Sequence, residues 1–187
     1  MATIAETVAI LARELHLPKP YVEQRARRLR EVGLLPASNG RDHPVVRIEH
    51  LASIVLALAA DAPVKDAPDA VETYGSLFLH GVDPQVMPES IRPAGYTARH
   101  YLEQVFASMA ADDADANANR RMAFEVVSTW PEVRIFDPAD QHTMVFIKPT
   151  ALPSHWQGDA VRRSTTIHGR ALFRVVQALV SGARNHA

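Results

Sequence analysis

Residues 3–35 read TIAETVAILARELHLPKPYVEQRARRLREVGLL. Two helical periods meet here at a short break. Ile4, Val8, Leu11, Ala12 and Leu15 recur at the spacing of one apolar stripe, which predicts a helix over 3–15. Thr3 can cap it, with Glu6 three residues on to complete a capping box. Continuation stops at His16-Leu17, because Pro18 disfavours helical backbone before it. Pro20 suits the first turn of a second helix, which runs to about Val32 and closes at Gly33.

On this second helix Val22, Ala26, Leu29 and Gly33 form the predicted buried face. At about 100° per residue, Gln24, Arg27, Arg28 and Glu31 point away from it. Tyr21, Arg25 and Arg30 flank that outward face. Several forked donors on the exposed side of a short helix, leaving a tight turn, is what a reader of the DNA major groove needs.

The pattern Leu11-Ala12, Leu15, Leu17, Val22, Leu29 and Gly33-Leu34-Leu35 resembles the core of winged helix-turn-helix domains. His16 departs from it, since many such turns carry glycine there. Leu34-Leu35-Pro36 and Val45-Val46-Arg47-Ile48 are expected to be the strands of the wing. Ser38-Asn39-Gly40-Arg41 would lie at its tip. Ile48, Leu51, Ala52, Val55, Leu58 and Ala59 predict a third helix. This order is similar to the winged helix of MerR-type regulators and phage excisionases, and to the N-terminal domain of some phage terminase small subunits. The resemblance covers residues 1–61. It implies binding to double-stranded DNA, with Gln24, Arg27 and Arg28 at base edges. Lys19, Tyr21, Arg25 and Arg41 would hold phosphates or groove walls.

Charge bears on that expectation. The chain of 187 residues has a net charge of −1, which by itself argues against a nucleic-acid ligand. From Lys19 to Arg47, however, seven bases face three acids, a net of +4. The remaining 13 bases and 18 acids give −5. A basic segment therefore sits on an acidic body. Global neutrality disfavours promiscuous binding and leaves site-specific binding through one small face.

Three segments are expected. Residues 1–61 form the winged helix-turn-helix, 62–110 a helical connector or oligomerisation region, and 111–187 a small αβ domain. In the middle, Pro68 starts a helix with Val71, Tyr74, Leu77 and Phe78 apolar, and a second follows from about Thr97. Ala110 to Asn119, almost entirely Ala, Asp and Asn, reads as a solvated linker or helix cap. Its Asp113, Asp115 and Asn117 begin like a calcium loop, but Ala118 and Phe124 fail the required glycine and glutamate. Further on, strands are expected at Phe124–Val127, Val133–Phe136, Thr143–Lys148 and Arg162–Ile167, and a helix from Gly169 to about Ser181. The predicted fold class is α+β, with a small C-terminal antiparallel sheet covered by one helix. Trp130 and Trp156 are expected in its core or at an interface. Arg162, Arg163 and Arg170 form a second small basic cluster, expected to be a solvated face.

With 47% hydrophobic residues and no cysteine, the chain reads as globular, without disulfides or thiolate metal sites. The longest apolar run, Ile54–Ala60, is too short to span a membrane. No secretory leader pattern opens the chain, so a cytoplasmic protein is expected. The nine histidines lack metal-binding spacing, and His142, His155 and His168 follow no ligand rule. No nucleophile elbow, phosphate loop or dinucleotide fingerprint occurs. The expectation is a non-enzymatic protein without cofactor or metal: a dimeric transcriptional regulator. The alternatives are a phage-type DNA-packaging subunit and a protein-interaction module, which solution mass and salt-dependent DNA affinity would separate.

Overall fold

The structure is a computed structural model. It describes residues 2–37, 44–82, 86, 97–139, 143–149, 151 and 161–184. Among them are seven α-helices and one five-stranded antiparallel sheet, an α+β fold.

Helices α1 (Ile4–Glu14) and α2 (Lys19–Glu31) lie within a residue or two of their predicted bounds. Thr3 and Glu6 form the capping box: Glu6 N donates to Thr3 Oγ1 at 3.3 Å and Thr3 N to Glu6 Oε2 at 2.8 Å. The turn between the helices is tight because His16 adopts φ +53°, the left-handed conformation that glycine usually supplies. Gly33, at φ +81°, ends α2.

The expected strand pairing after α2 is corrected. Leu34–Pro36 form no strand, and Val45 makes an isolated bridge to Thr3, with Val46 N donating to Ala2 O at 2.9 Å. The N-terminal Ala2 and Thr3 thus occupy the backbone groups of Val45 and Val46. The expected wing tip, residues 38–41, lies outside the described residues.

Helix α3 (Ile48–Ala60) is the central element. Every residue from Leu51 to Ala60 is buried, as a helix apolar all round must be. It packs against α2, α4 (Ala67–Gly75), α5 (Ala98–Ala111), β2 (Ala123–Val127) and β5 (Ser164–His168). One continuous cluster of buried side chains links Leu11 and Leu29 through α3 to Phe106, Phe146 and Val176. The C-terminal sheet is thus covered by α3 as well as by α7 (Gly169–Arg184), which corrects the expectation of one covering helix.

The sheet runs β1 (Phe78–Leu79), β4 (Thr143–Ile147), β3 (Glu132–Phe136), β2, β5. Strand β1 comes from the middle of the chain, where the helix predicted to continue through Phe78 ends at Gly75. Alternation divides the strands. Phe124, Val126, Val133, Ile135, Phe146 and Ile167 join the helix-covered core. Glu125, Val127, Glu132 and Arg134 take the opposite face. On that face Arg162 grips Glu125 with two parallel bonds of 2.8 Å, and Trp130 Nε1 donates to Glu132 at 3.1 Å. Trp130 is therefore buried at the sheet, and Arg162 belongs to an ion pair rather than to a solvated face. Trp156 lies outside the described residues.

The linker expected over 110–119 is also corrected. Helix α5 extends to Ala111, and a short α6 (Ala116–Arg121) follows with Ala116 and Asn119 buried. Asp113 organises the turn between them, its Oδ1 accepting from Asp115 N at 3.0 Å and Ala116 N at 3.2 Å.

Candidate nucleic-acid interface

Helix α2 divides into two sides. Val22, Arg25, Ala26 and Leu29 are buried, whereas Lys19, Glu23, Gln24, Arg27, Arg30 and Glu31 are exposed. The predicted apolar face stands, with one change: Arg25 takes the place assigned to Gly33, which is exposed.

Arg25 corrects the expectation that it flanks an outward face. Only 5% of the residue is exposed. Its guanidinium lies 3.6 Å from the centre of the Tyr21 ring, donates to Ala62 O at 2.8 Å and reaches Asp61 Oδ1 at 3.4 Å. Tyr21 is half-buried and its hydroxyl donates to the same Asp61 oxygen at 2.5 Å. Burial, then the bond to Asp61, pushes the Tyr21 phenol up to about 12. Asp61 stands in left-handed conformation at the end of α3. Two of the residues expected to touch phosphate therefore fasten α2 to α3 instead. The long arginine stem lets a charged head reach from α2 to the Ala62 carbonyl just past the end of α3.

The other expected residues stay on the surface. Lys19 and Gln24 are exposed and make no side-chain hydrogen bond or ion pair within the described residues. Arg27 and Arg28 both hold Glu31, Nε of Arg27 at 3.0 Å and Nη1 of Arg28 at 3.3 Å. Those bonds keep the Glu31 carboxyl below its ordinary range. The pairs orient two forked donors along one side of the helix, and both are open to water, so an anion can replace Glu31 cheaply. Arg28 is the more enclosed of the two, with 39% of its side chain exposed against 73% for Arg27. Arg41 lies outside the described residues.

Arg30 is a cation of this surface that the expected set omitted. Lys19, Glu23, Arg27 and Arg30 follow one another at steps of four, four and three. Together with Thr3, Ala5 and Pro44 they line a groove of about 280 Å³ between α2 and the start of α1. The spacing alone carries that signal.

Among the described residues, no group of three or more His, Asp or Glu side chains could hold a metal ion. No helix is long and apolar enough to cross a membrane. No protein-family model, curated protein or solved structure matches the chain.

Proposed function

We propose that the protein binds double-stranded DNA at specific sites, with α2 in the major groove. The observation that carries this reading is the clean division of α2. Its inner side is buried at Val22, Arg25, Ala26 and Leu29 against α1 and α3, and Arg25 fastens it at the end of α3, so its outer side presents Gln24, Arg27 and Arg28 on a rigid support. A left-handed turn at His16 supplies the abrupt entry that a helix-turn-helix requires.

In this reading Gln24, Arg27 and Arg28 meet base edges, where amide and guanidinium groups can form paired hydrogen bonds. Lys19 and Arg30, on one side of α2 and near its two ends, hold phosphates. Glu31 keeps the arginines aligned in the free protein and gives way when DNA arrives. Tyr21 and Arg25 act at one remove, by fixing α2. The acidic remainder of the chain repels DNA elsewhere and confines contact to this face.

One short helix offers few base contacts, so two copies on a two-fold symmetric site complete the proposal, with transcriptional regulation as the biological role. Selection of bound sequences from a random double-stranded pool tests it. Enrichment of a palindromic site supports the reading. Equal retention of all sequences, or binding insensitive to salt, contradicts it, because phosphate contacts weaken steeply as salt rises.

A further inference from the structure

On the far side of the α1–α2 turn lies a cleft of about 680 Å³, within the size range of small-molecule sites. One wall is the turn itself, residues Glu14 to Pro18, with Tyr21. The other is β5 and the first turns of α7, and Leu58 and Asp61 of the α3 end complete it. Leu15, Leu17, Leu58, Ile167 and Ala171 make most of the lining apolar.

The polar groups are unevenly committed. Glu14 is held by Arg13 at 2.8 Å and by Arg174 at 2.9 Å across the cleft, and those bonds keep its carboxyl below the ordinary range. Asp61 accepts from Tyr21 and Arg25. Both acids are thus already neutralised. Arg170, one helical turn before Arg174, is exposed and has no hydrogen-bond or ion-pair partner within the described residues. An apolar trough with one uncommitted cation at its edge complements an anion that carries an apolar body.

We propose that this cleft binds a small amphiphilic carboxylate, its carboxylate on Arg170 and its apolar part along Leu15, Leu58 and Ile167. Such a ligand touches the α1–α2 turn on one side and β5 and α7 on the other. It fastens the turn to the body of the protein. Given the DNA-binding reading above, on which this clause alone rests, occupancy changes DNA affinity.

Titration calorimetry of the full chain with octanoate, and with octanol as its neutral counterpart, tests the site without DNA. Octanoate is expected to bind about tenfold or more tightly than octanol, the loss that follows removal of a charge-assisted hydrogen bond. Arg170→Gln, at an exposed position, is expected to erase that preference. Ala171→Trp, which fills the trough, is expected to remove binding of both. NMR shifts on octanoate addition should centre on Leu15–Leu17 and Thr165–Ala171. Equal binding of the two probes, an unchanged Arg170→Gln, no binding at a Kd below about 10 mM, or preference for an acidic peptide such as hexaglutamate over octanoate each overturns the site. Failure to find a DNA ligand leaves these outcomes readable. If DNA is bound and its affinity is the same with and without saturating octanoate, the regulatory clause is overturned.

Discussion

The Arg25 guanidinium stacks on the Tyr21 ring at 3.6 Å, one helical turn away on α2, and both side chains converge on Asp61 at the end of α3. A residue that reads as a DNA contact by type is thereby a fastening. Arg25→Ala is expected to remove the stacking contact and the bond to Ala62 O. The cost should be about 2–3 kcal/mol of stability. Urea denaturation measures it. Arg27→Ala, at an exposed position, should change stability by less than about 0.5 kcal/mol. Equal effects of the two substitutions would contradict the assignment.

His16 occupies left-handed backbone at φ +53°, and its side chain is exposed. That conformation costs a non-glycine residue about 1–2 kcal/mol, of which glycine's greater unfolded-state entropy returns about half. His16→Gly is therefore expected to stabilise the protein by about 0.5–1 kcal/mol, a rise in Tm of about 1–4 °C. His16→Val, β-branched, should lower Tm. Calorimetry distinguishes the two directions.

Where α7 begins, its first residue has no room for a side chain. A Cβ on Gly169 would run into the carbonyl oxygens of Asn119 and Met122, and Gly169 N already donates to Met122 O at 2.7 Å. Backbone atoms cannot yield as a flexible side chain can. Gly169→Ala is expected to cost more than about 2 kcal/mol, although alanine elsewhere in a helix is the better residue. A neutral result by urea denaturation would mean that α6 and α7 are not packed in this way.

Glu125 is 7% exposed and gripped by Arg162 on the outer face of the sheet. Burial, the largest single influence, raises its pKa, but the hydrogen bonds from Arg162 and Ser164 and the Arg162 and Arg134 charges together hold it below the ordinary 4.5. A depressed carboxylate contributes stability that is fully present above 4.5 and is lost as pH falls through the lower, folded-state value. Acid unfolding should therefore steepen below about pH 4.5. Glu125→Gln should be less stable at pH 7 and show less of that acid dependence. Arg162→Ala, which strands a buried carboxylate, should cost about 2–3 kcal/mol at pH 7, the partial exposure of Arg162 setting the lower figure. A Glu125→Gln curve parallel to that of the unaltered protein would contradict the pairing.

The parts of this fold that were legible in the sequence are those written in local periodicity. The stripes of α1, α2 and α7 and the alternation of β2, β3 and β4 fall close to their predicted places. Long-range partnership was not legible. Strand β1 is two residues made a strand by distant partners, β4 on one side and a bridge from Phe78 to Thr97 on the other. The Ala–Asp–Asn stretch looked solvated by composition, but Ala116 and Asn119 are buried, α6 packing against α5 and α7. Arg25 misled because a helical wheel fixes the direction of Cβ, not the reach of a long side chain. The run Ile54–Ala60 did carry a usable signal: a helix apolar on every side belongs at the centre, not in a terminal domain.

Whether α2 reads DNA is decided by affinity for the selected site, measured by fluorescence anisotropy across a salt series for the unaltered protein and Arg28→Ala. Arg28→Ala is expected to lose about 1–3 kcal/mol of affinity at fixed salt, with relaxed preference at the contacted base pair and unchanged thermal stability. Lys19→Ala is expected to weaken binding to all sequences and to make the salt slope shallower by about one. Arg28→Ala binding that matches the unaltered protein at every salt concentration would contradict the placement of α2 in the major groove.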